Sequence, residues 1–448
     1  MSEVNELEKE VVKLLSDLIK FNTVNPPGNE LEVAKFLAEK LSEEGFKPEI
    51  IETDKGRGNL ITRIKGVGEK PSLLLLSHLD VVPANPKEWS IDPFSGIIKD
   101  GFVWGRGALD CKSLVASEAM VMIMLSRSNF KPKGDLIFAA TADEEKGGHK
   151  GVKWLIENNL EKIKADYVIN EGGGFSFKTK KGRIFLVQTS EKTAFFVRIK
   201  SKGKPGHGSV PNVTDNALIK MAEVIKRLGT YRSRIVITPT VKLFINEFLK
   251  DKGLKGILFS KLITNPLLAD IILNRFDETY KETVEFLRAM LRMTIAPTIV
   301  HGGIKENVIP SECECTFDCR LLPGQTREYL ISELKKALKG IKEIEIHVPK
   351  VNEAIESPID TDLFKTILKT LREFEPNCSI VPYMVTGATD SRYFRRLGSI
   401  CYGFHPIKPD MPLGTFMKMI HGINERIAIK DLIFGTKVLY KLVKNFLS

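Results

Sequence analysis

From Asn59 to Asn170 the chain alternates between apolar runs of two kinds. Asn59–Ile64 and Ser72–Leu76 read as strands, the second apolar enough to be buried on both faces. Leu114–Leu125 reads as a helix, Leu136–Ala142 as another buried strand, and Val152–Leu160 as a helix. Tyr167–Ile169 then forms a short strand ending at Asn170. Strands that alternate with helices predict an α/β sheet, in which ligands collect at the C-terminal ends of the strands.

Near Ser190 the style changes. Thr193–Lys200 alternates as a half-buried strand, Asn216–Leu228 is an amphipathic helix, and Thr294–Val300 and Glu312–Leu321 are strands. Thr326–Leu338 is a helix with Thr326 as its N-cap, and Glu343–Val348 is a strand. Strand, helix, strand, strand, helix, strand is the order of a ferredoxin-like α+β sandwich. The long stretch at about 231–292 interrupts it as a helical insertion. The α/β style returns from about Ser357, with helices at Asp362–Phe374 and Lys430–Phe446. The expected organisation is an α/β domain of residues 1–190 and 353–448, with a mixed sheet flanked by helices, interrupted by an α+β domain of residues 191–352.

Cysteine usage adds little chemistry. Of six cysteines, Cys313, Cys315 and Cys319 cluster, which invites a metal reading. Their parity with Phe317 and Leu321, against Glu312, Glu314, Thr316, Asp318 and Arg320, is the period-two mark of a strand with one buried face. Core cysteines are expected.

The chain has 448 residues with 67 Lys and Arg against 56 Asp and Glu, a net charge of +11. The basic residues are dispersed rather than gathered in a block, so no nucleic-acid partner is expected. No run reaches the 18 apolar residues of a spanning helix, so no membrane partner is expected either. The amphipathic start, with Leu7, Val11, Leu14, Leu15 and Leu18 on one face, is a structural helix rather than a leader, which points to a cytoplasmic protein.

The chemistry-bearing residues sit at element ends. His78 and Asp80 follow a buried strand in SLLLLSHLDVVP. Side chains two apart in an extended chain point the same way, so one imidazole can face a metal while the carboxylate beside it influences its orientation or tautomer. Asp110 in WGRGALDCKS precedes a helix; Gly105 and Gly107 lack the third glycine and the strand-to-helix context of a dinucleotide site. Glu144 and Glu145 in FAATADEEKGG are adjacent carboxylates at a buried strand end, which repel unless a cation or proton intervenes. One can ligate while the other takes a proton from water. Glu171 in VINEGGG ends the next strand, and His421 in MIHGINERI precedes the last helix. His405 in GFHP is its rival, whereas His149, His301 and His347 lack strand-end acidic context. Singly, each is an ordinary cap, turn or surface group. Together His78, Asp110, Glu144 with Glu145, and Glu171 mark four successive element ends in an α/β pattern and would gather at one sheet edge. Five mixed imidazole and carboxylate ligands, one able to bridge, suit two zinc ions, with cobalt or manganese as substitutes.

HLDVVP, GRGALDCKS, ATADEEKGG, NEGGG, GHGSVP, FDCRLLPG, TGATDSR and IHGINE resemble, in order, the motifs of a di-zinc exopeptidase and amidohydrolase family. It includes acetylornithine deacetylase, succinyl-diaminopimelate desuccinylase, aminoacylase, carboxypeptidase G and carboxypeptidase S. The resemblance runs from about residue 10 to the C-terminus. With the insertion, NVIP, TDSR and HGINE, it is nearest to the carboxypeptidase S and N-acyl-amino-acid hydrolase branch. It implies a zinc-exopeptidase-like catalytic domain and an inserted lid and dimerisation domain. His78 would hold one zinc with Glu171, His421 the other with Glu145, and Asp110 would bridge. Asp80 would stand behind His78, Glu144 would be the general base and acid, and a cis peptide would precede Cys111. His207 in GKPGHGSVP would donate to the oxyanion, often from a partner subunit. Asn307 in ENVIP and Arg320 in FDCRLLPG would hold the substrate, Arg320 by its carboxylate. Arg320 is free on its polar strand face to fork onto it. Arg392 in TGATDSR is a further substrate-binding candidate, or else an ion-pair partner of Asp390.

The expected activity is metal-dependent hydrolysis of an amide or peptide bond next to a free carboxylate, of the carboxypeptidase type, in a homodimer. The alternative is an N-acyl amino acid deacylase, such as an aminoacylase, acetylornithine deacetylase or succinyl-diaminopimelate desuccinylase. A metal-stabilised binding protein without activity would be expected to lack the base or a ligand, and Glu144 and all five ligands are present.

Overall fold

The computed structural model describes residues 2–211, 214–250, 252–276, 281–350, 353–411 and 413–448. It divides into two compact units, one of Met1–Thr189, Ser357–Tyr383 and Thr389–Ser448, the other of Ser190–Glu356 and Met384–Ala388. The boundary expected at 352 falls outside the described residues.

The first unit is built on a mixed sheet. Its order is Glu49–Glu52, Gly58–Ile64, Leu136–Thr141, Leu73–His78, Tyr167–Asn170, Ile400–Gly403, Gly182–Glu191 and Ser379–Val385, with Ser176–Thr179 paired to Gly182–Glu191. The central strands Leu136–Thr141, Leu73–His78, Tyr167–Asn170 and Ile400–Gly403 run parallel. They are the fully apolar runs, because a strand covered by helices on both faces has no solvated side. Leu73 to Leu76 and Leu136 to Ala140 are all buried, at about 1.5–3 kcal/mol for each large side chain taken from water. The helix Lys112–Arg127 is buried along nearly its whole length, as a helix pressed into the centre of a large domain must be. Parallel strands of this kind deliver their C-terminal ends to one edge, where His78, the turn after Thr141 and Glu171 are found.

The strands Gly182–Glu191 and Ser379–Val385 carry no alternation to reveal them. The first buries Gln188, Thr189 and Ser190 in the sheet, so its polar residues read as a loop.

The second unit has a four-stranded antiparallel sheet in the order Thr294–Gly302, Glu312–Leu321, Thr193–Lys202, Ile344–His347. Counted along the chain this is 2-3-1-4, the ferredoxin-like order. Phe195, Val197, Ile199, Cys313, Cys315, Phe317, Cys319 and Leu321 form the inner face, joined by Met221, Val224 and Leu228 of the helix Ala217–Gly229. All six cysteines are free and buried. Side-chain caps start three helices as their sequences dictate: Asn216 accepts from the Leu218 N–H, Thr326 from Tyr329 and Thr361 from Phe364. The insertion forms the helices Pro239–Lys250, Gly253–Ile263, Ala269–Phe276 and Lys281–Leu291. No helix among the described residues is long and apolar enough to cross a membrane.

Candidate metal centre

Five elements of the first unit meet at the edge where the parallel strands end. His78 is the last residue of its strand. The strand Leu136–Thr141 runs into a turn in which Asp143 takes a left-handed conformation (φ 70°), presenting Glu144 and Glu145. Glu171 follows the strand Tyr167–Asn170. Asp110 precedes the helix Lys112–Arg127 and is joined to Cys111 by a cis peptide. His421 lies in the loop before the final helix, also left-handed (φ 60°).

Asp110 stands between the two imidazoles. Its Oδ1 lies 3.1 Å from His78 Nε2 and its Oδ2 3.0 Å from His421 Nε2. Glu171 Oε1 is 3.8 Å from His78 Nε2, and Glu145 Oε1 is 3.2 Å from His421 Nε2. Two sets of donors therefore converge, His78 with Glu144 and Glu171, and His421 with Asp110 and Glu145. Cys111 also approaches His78 and Asp110, but burial pushes its thiol far up, which disfavours the thiolate a metal needs.

A layer of hydrogen bonds fixes these groups. His78 Nδ1 is 2.9 Å from the Asp80 backbone carbonyl, which only accepts, so Nδ1 carries the proton and Nε2 is left as the ligand atom. The Asp80 carboxylate, expected to influence the orientation or tautomer of His78 directly or through a third group, has Oδ1 3.4 Å from Nδ1. It also holds the turn after Thr141: Oδ1 accepts the Glu144 N–H at 3.0 Å and Oδ2 the Glu145 N–H at 3.2 Å. Asn25 Nδ2 then bridges Asp80 and Asp143 at 2.8 and 3.0 Å. Arg57 pairs with Glu30 and reaches Asp143 at 3.1 Å.

The electrostatics are those of a cage built for positive charge. Burial opposes ionisation of Asp110, yet hydrogen bonds from His421 and His78 outweigh it and hold its carboxyl far below the usual range. Burial, then Glu171 and Asp390, push Glu144 well above an ordinary carboxylate. Glu171 is pushed up to about 7 by burial and Asp110, and Glu145 is raised by burial despite its bond to His421. His421 is raised to about 10 by Asp110 and Glu145. Packed carboxylates and two imidazoles facing one aspartate are the donor set of a pair of divalent cations, and the residues present fit that group.

The other expected residues lie elsewhere. In the second unit His207 is exposed, its Nδ1 2.7 Å from Ser209 Oγ, on a short strand paired to Val308 beside Asn307. Arg320 is not free: Nε and Nη2 grip Asp318 at 2.7 and 2.9 Å, because residues two apart share a strand face. Arg392, in the first unit, has Nη1 3.9 Å from Glu144 and Nη2 3.7 Å from Asp390. Asp390 is buried with neither oxygen hydrogen-bonded, and burial pushes it up to about 7. His405 belongs to none of the metal-capable groups. It is buried with Nε2 3.5 Å from Ser117 Oγ, and burial depresses it to about 4. His149, His301 and His347 are exposed.

Sequence reasoning missed Glu425, Arg106, Asn25, Arg57 and Asp143. Glu425 Oε1 accepts the backbone N–H groups of Leu109 and Asp110, and its Oε2 meets Arg106 at 2.6 Å; Arg106 also donates to the His421 carbonyl at 3.1 Å. Arg106, Asp143 and Glu425 had one sequence signal, their place inside GRGALD, ADEE and HGINE; Asn25 and Arg57 lie outside the ligand motifs.

Residues 74–445 match the sequence model described as Peptidase family M20/M25/M40. The chain is 28% identical over 395 residues to the mouse protein named N-fatty-acyl-amino acid synthase/hydrolase PM20D1, covering 84% of this chain and 75% of that one. It is 28% identical over 408 residues to a Dictyostelium discoideum protein named probable carboxypeptidase S-like 2, covering 86% and 74%. Among solved structures, an M20 family metallo-carboxypeptidase from Sulfolobus solfataricus superposes with a TM-score of 0.74 at 20% identity, over 98% of this chain and 99% of that one.

Proposed function

This chain belongs to peptidase family M20/M25/M40, and from that premise we propose that it hydrolyses the amide bond joining an acyl or peptidyl group to an amino acid with a free carboxylate. In this reading His78 and Glu171 would hold one zinc ion and His421 and Glu145 another, with Asp110 between the two imidazoles. Bound there, the metals would supply Lewis acidity, lowering the pKa of water and polarising the scissile carbonyl.

The chain's own residues do the rest. Glu144 takes the proton of the attacking water and passes it to the departing nitrogen. Its burial beside Glu171 and Asp390 raises its pKa, which suits a group that must hold a proton between two steps. Asp80 keeps Glu144 in place through the backbone. His207 donates to the oxyanion. Arg320 offers the N–H groups that Asp318 leaves free to the product carboxylate, a one-sided grip rather than a fork, with Asn307 and Arg392 beside the substrate. A homodimer is supported by the edge strand Thr294–Gly302, whose Ile299 and Val300 are exposed.

The observation that carries this reading is Asp110, whose two oxygens face two different imidazoles at 3.1 and 3.0 Å. The likeness to an N-fatty-acyl-amino acid synthase/hydrolase favours a second reading, in which the acyl group is a fatty chain rather than a peptide. Metal analysis coupled to a panel of acetyl-, long-chain-acyl- and aminoacyl-amino acids tests both. We expect about two metals per chain and chelator-sensitive release of the amino acid. Release from none of the panel by the metal-loaded protein would overturn the proposal.

A further inference from the structure

One helix of the insertion packs small residues inward and leaves large apolar ones outside. The helix Gly253–Ile263 buries the small residues Gly256 and Ser260, with Ile263, and exposes Leu254 (86%) and Leu258 (61%). The orientation is compelled: a Cβ at Gly256 would lie 2.0 Å from the Leu249 carbonyl oxygen of the preceding helix, so only a face without side-chain bulk fits there. Leu254, Leu258 and Lys261 fall at i, i+4 and i+7, one stripe of the helix. That stripe ends at a pocket of about 540 Å³ lined by Lys261, Arg234, Lys242, Thr264, Asn265 and Leu267, among others. Leu267 (81% exposed) leads by one turn to Ile271 (65%) on the next helix.

Large apolar side chains left in water mark a surface that something covers. The charge around them says what. Arg234, Lys242 and Lys261 in the pocket, and Lys252, Lys255 and Arg275 beside the stripe, are exposed and have no ion pair among the described residues. A second copy seated face to face would bring these same cations together, and repulsion opposes that. Nucleic acid offers no apolar surface to match the leucines. An anionic bilayer offers both halves, acyl chains for the leucines and phosphates for the cations.

We propose that the helices Gly253–Ile263 and Ala269–Phe276 lie on an anionic lipid surface, with the Arg234–Lys242–Lys261 pocket taking a headgroup phosphate. The contact is peripheral, since no helix among the described residues is long and apolar enough to cross a membrane.

The test is co-sedimentation of the metal-loaded full chain with vesicles of phosphatidylcholine alone or with about 30 mol% phosphatidylglycerol, at low and high salt. The wild type should pellet only with the anionic vesicles and be released by salt. Leu254→Glu with Leu258→Glu should abolish pelleting, and Lys255→Glu with Lys261→Glu should weaken it by at least about fivefold per charge removed, both leaving hydrolysis of a soluble substrate unchanged. Equal partition of the wild type to both vesicles, or full binding by the lysine variant, would overturn the proposal. So would a leucine variant that changes the oligomeric state by sedimentation while binding lipid as before. If the leucine variant does not fold, the lysine pair and the salt dependence still decide.

Discussion

Glu425 holds Asp110 by its backbone: Oε1 accepts the Asp110 N–H at 3.1 Å and the Leu109 N–H at 2.7 Å, while Oε2 binds Arg106 at 2.6 Å. The proposed bridging carboxylate is thereby fixed by a residue that need not touch the metal. Glu425 and Arg106 are both buried, so removing one leaves the other charge uncompensated. Glu425→Ala should lower unfolding free energy by about 3–5 kcal/mol in denaturant titration. It should also weaken metal binding about 10–100-fold in competition with a chelator. Unchanged metal affinity in a folded variant would show that Asp110 is positioned without it.

Glu144 and Glu145 are neighbours in sequence with different expected losses. Glu145 faces His421 at 3.2 Å, whereas Glu144 sits beside Glu171 and Arg392. Glu144→Gln should keep its metal content and lose about 10²–10⁴ in kcat. Glu145→Gln should lose metal first, and excess metal should restore part of its activity. Metal content and kcat of both variants, measured together, separate the base from the ligand.

The strand ends were legible because a buried parallel strand is an uninterrupted apolar run, and its first ionisable residue marks the edge. His78 and Glu171 stand out in this way, as does the Glu144–Glu145 pair. The residues that fix them were not legible. Glu425, Arg57 and Asn25 act through backbone groups and buried ion pairs that join positions up to 319 residues apart, and no local period encodes such pairings. His405 and His421 look alike in sequence, each at a loop near a glycine; burial against Ser117 separates them. In the helix Gly253–Ile263 of the insertion, Gly256 and Ser260 occupy the inner face while Leu254 and Leu258 are exposed, an orientation set by contact with the preceding helix that no apolar period encodes.

Lys192 is buried with no carboxylate partner among the described residues, its Nζ donating to the Arg292 carbonyl at 2.8 Å and toward Thr294 Oγ1 at 3.4 Å. Burial, helped by the charge of Arg320, depresses it to about 7, against about 10.4 in an unfolded chain. Between those values the unfolded chain binds a proton that the folded chain does not. Stability should therefore rise with pH from about 7 to about 10.4 by a few kcal/mol from this group alone. Below about 7 both states are protonated and the contribution is flat. Lys192→Met should remove that rise, which the difference between the two unfolding-versus-pH curves isolates from all other titrations.

Loading the cage with metal should expel protons. Without metal His421 is raised to about 10 by Asp110 and Glu145. His78 is raised well above its ordinary value because Cys111, Asp110 and Asp80 outweigh its burial. Both imidazoles thus hold protons at pH 7 that a ligand nitrogen cannot keep, and Glu171, at about 7, holds a fraction of another. Titrating zinc into the metal-free protein at pH 7, in buffers of different ionisation enthalpy, should release about two protons or more per filled site pair. Apparent affinity should climb with pH until about 10, where His421 deprotonates unaided. His421→Ala should lower the release by about one proton. A proton count near zero, or the same count after that substitution, would place zinc somewhere other than between these two imidazoles.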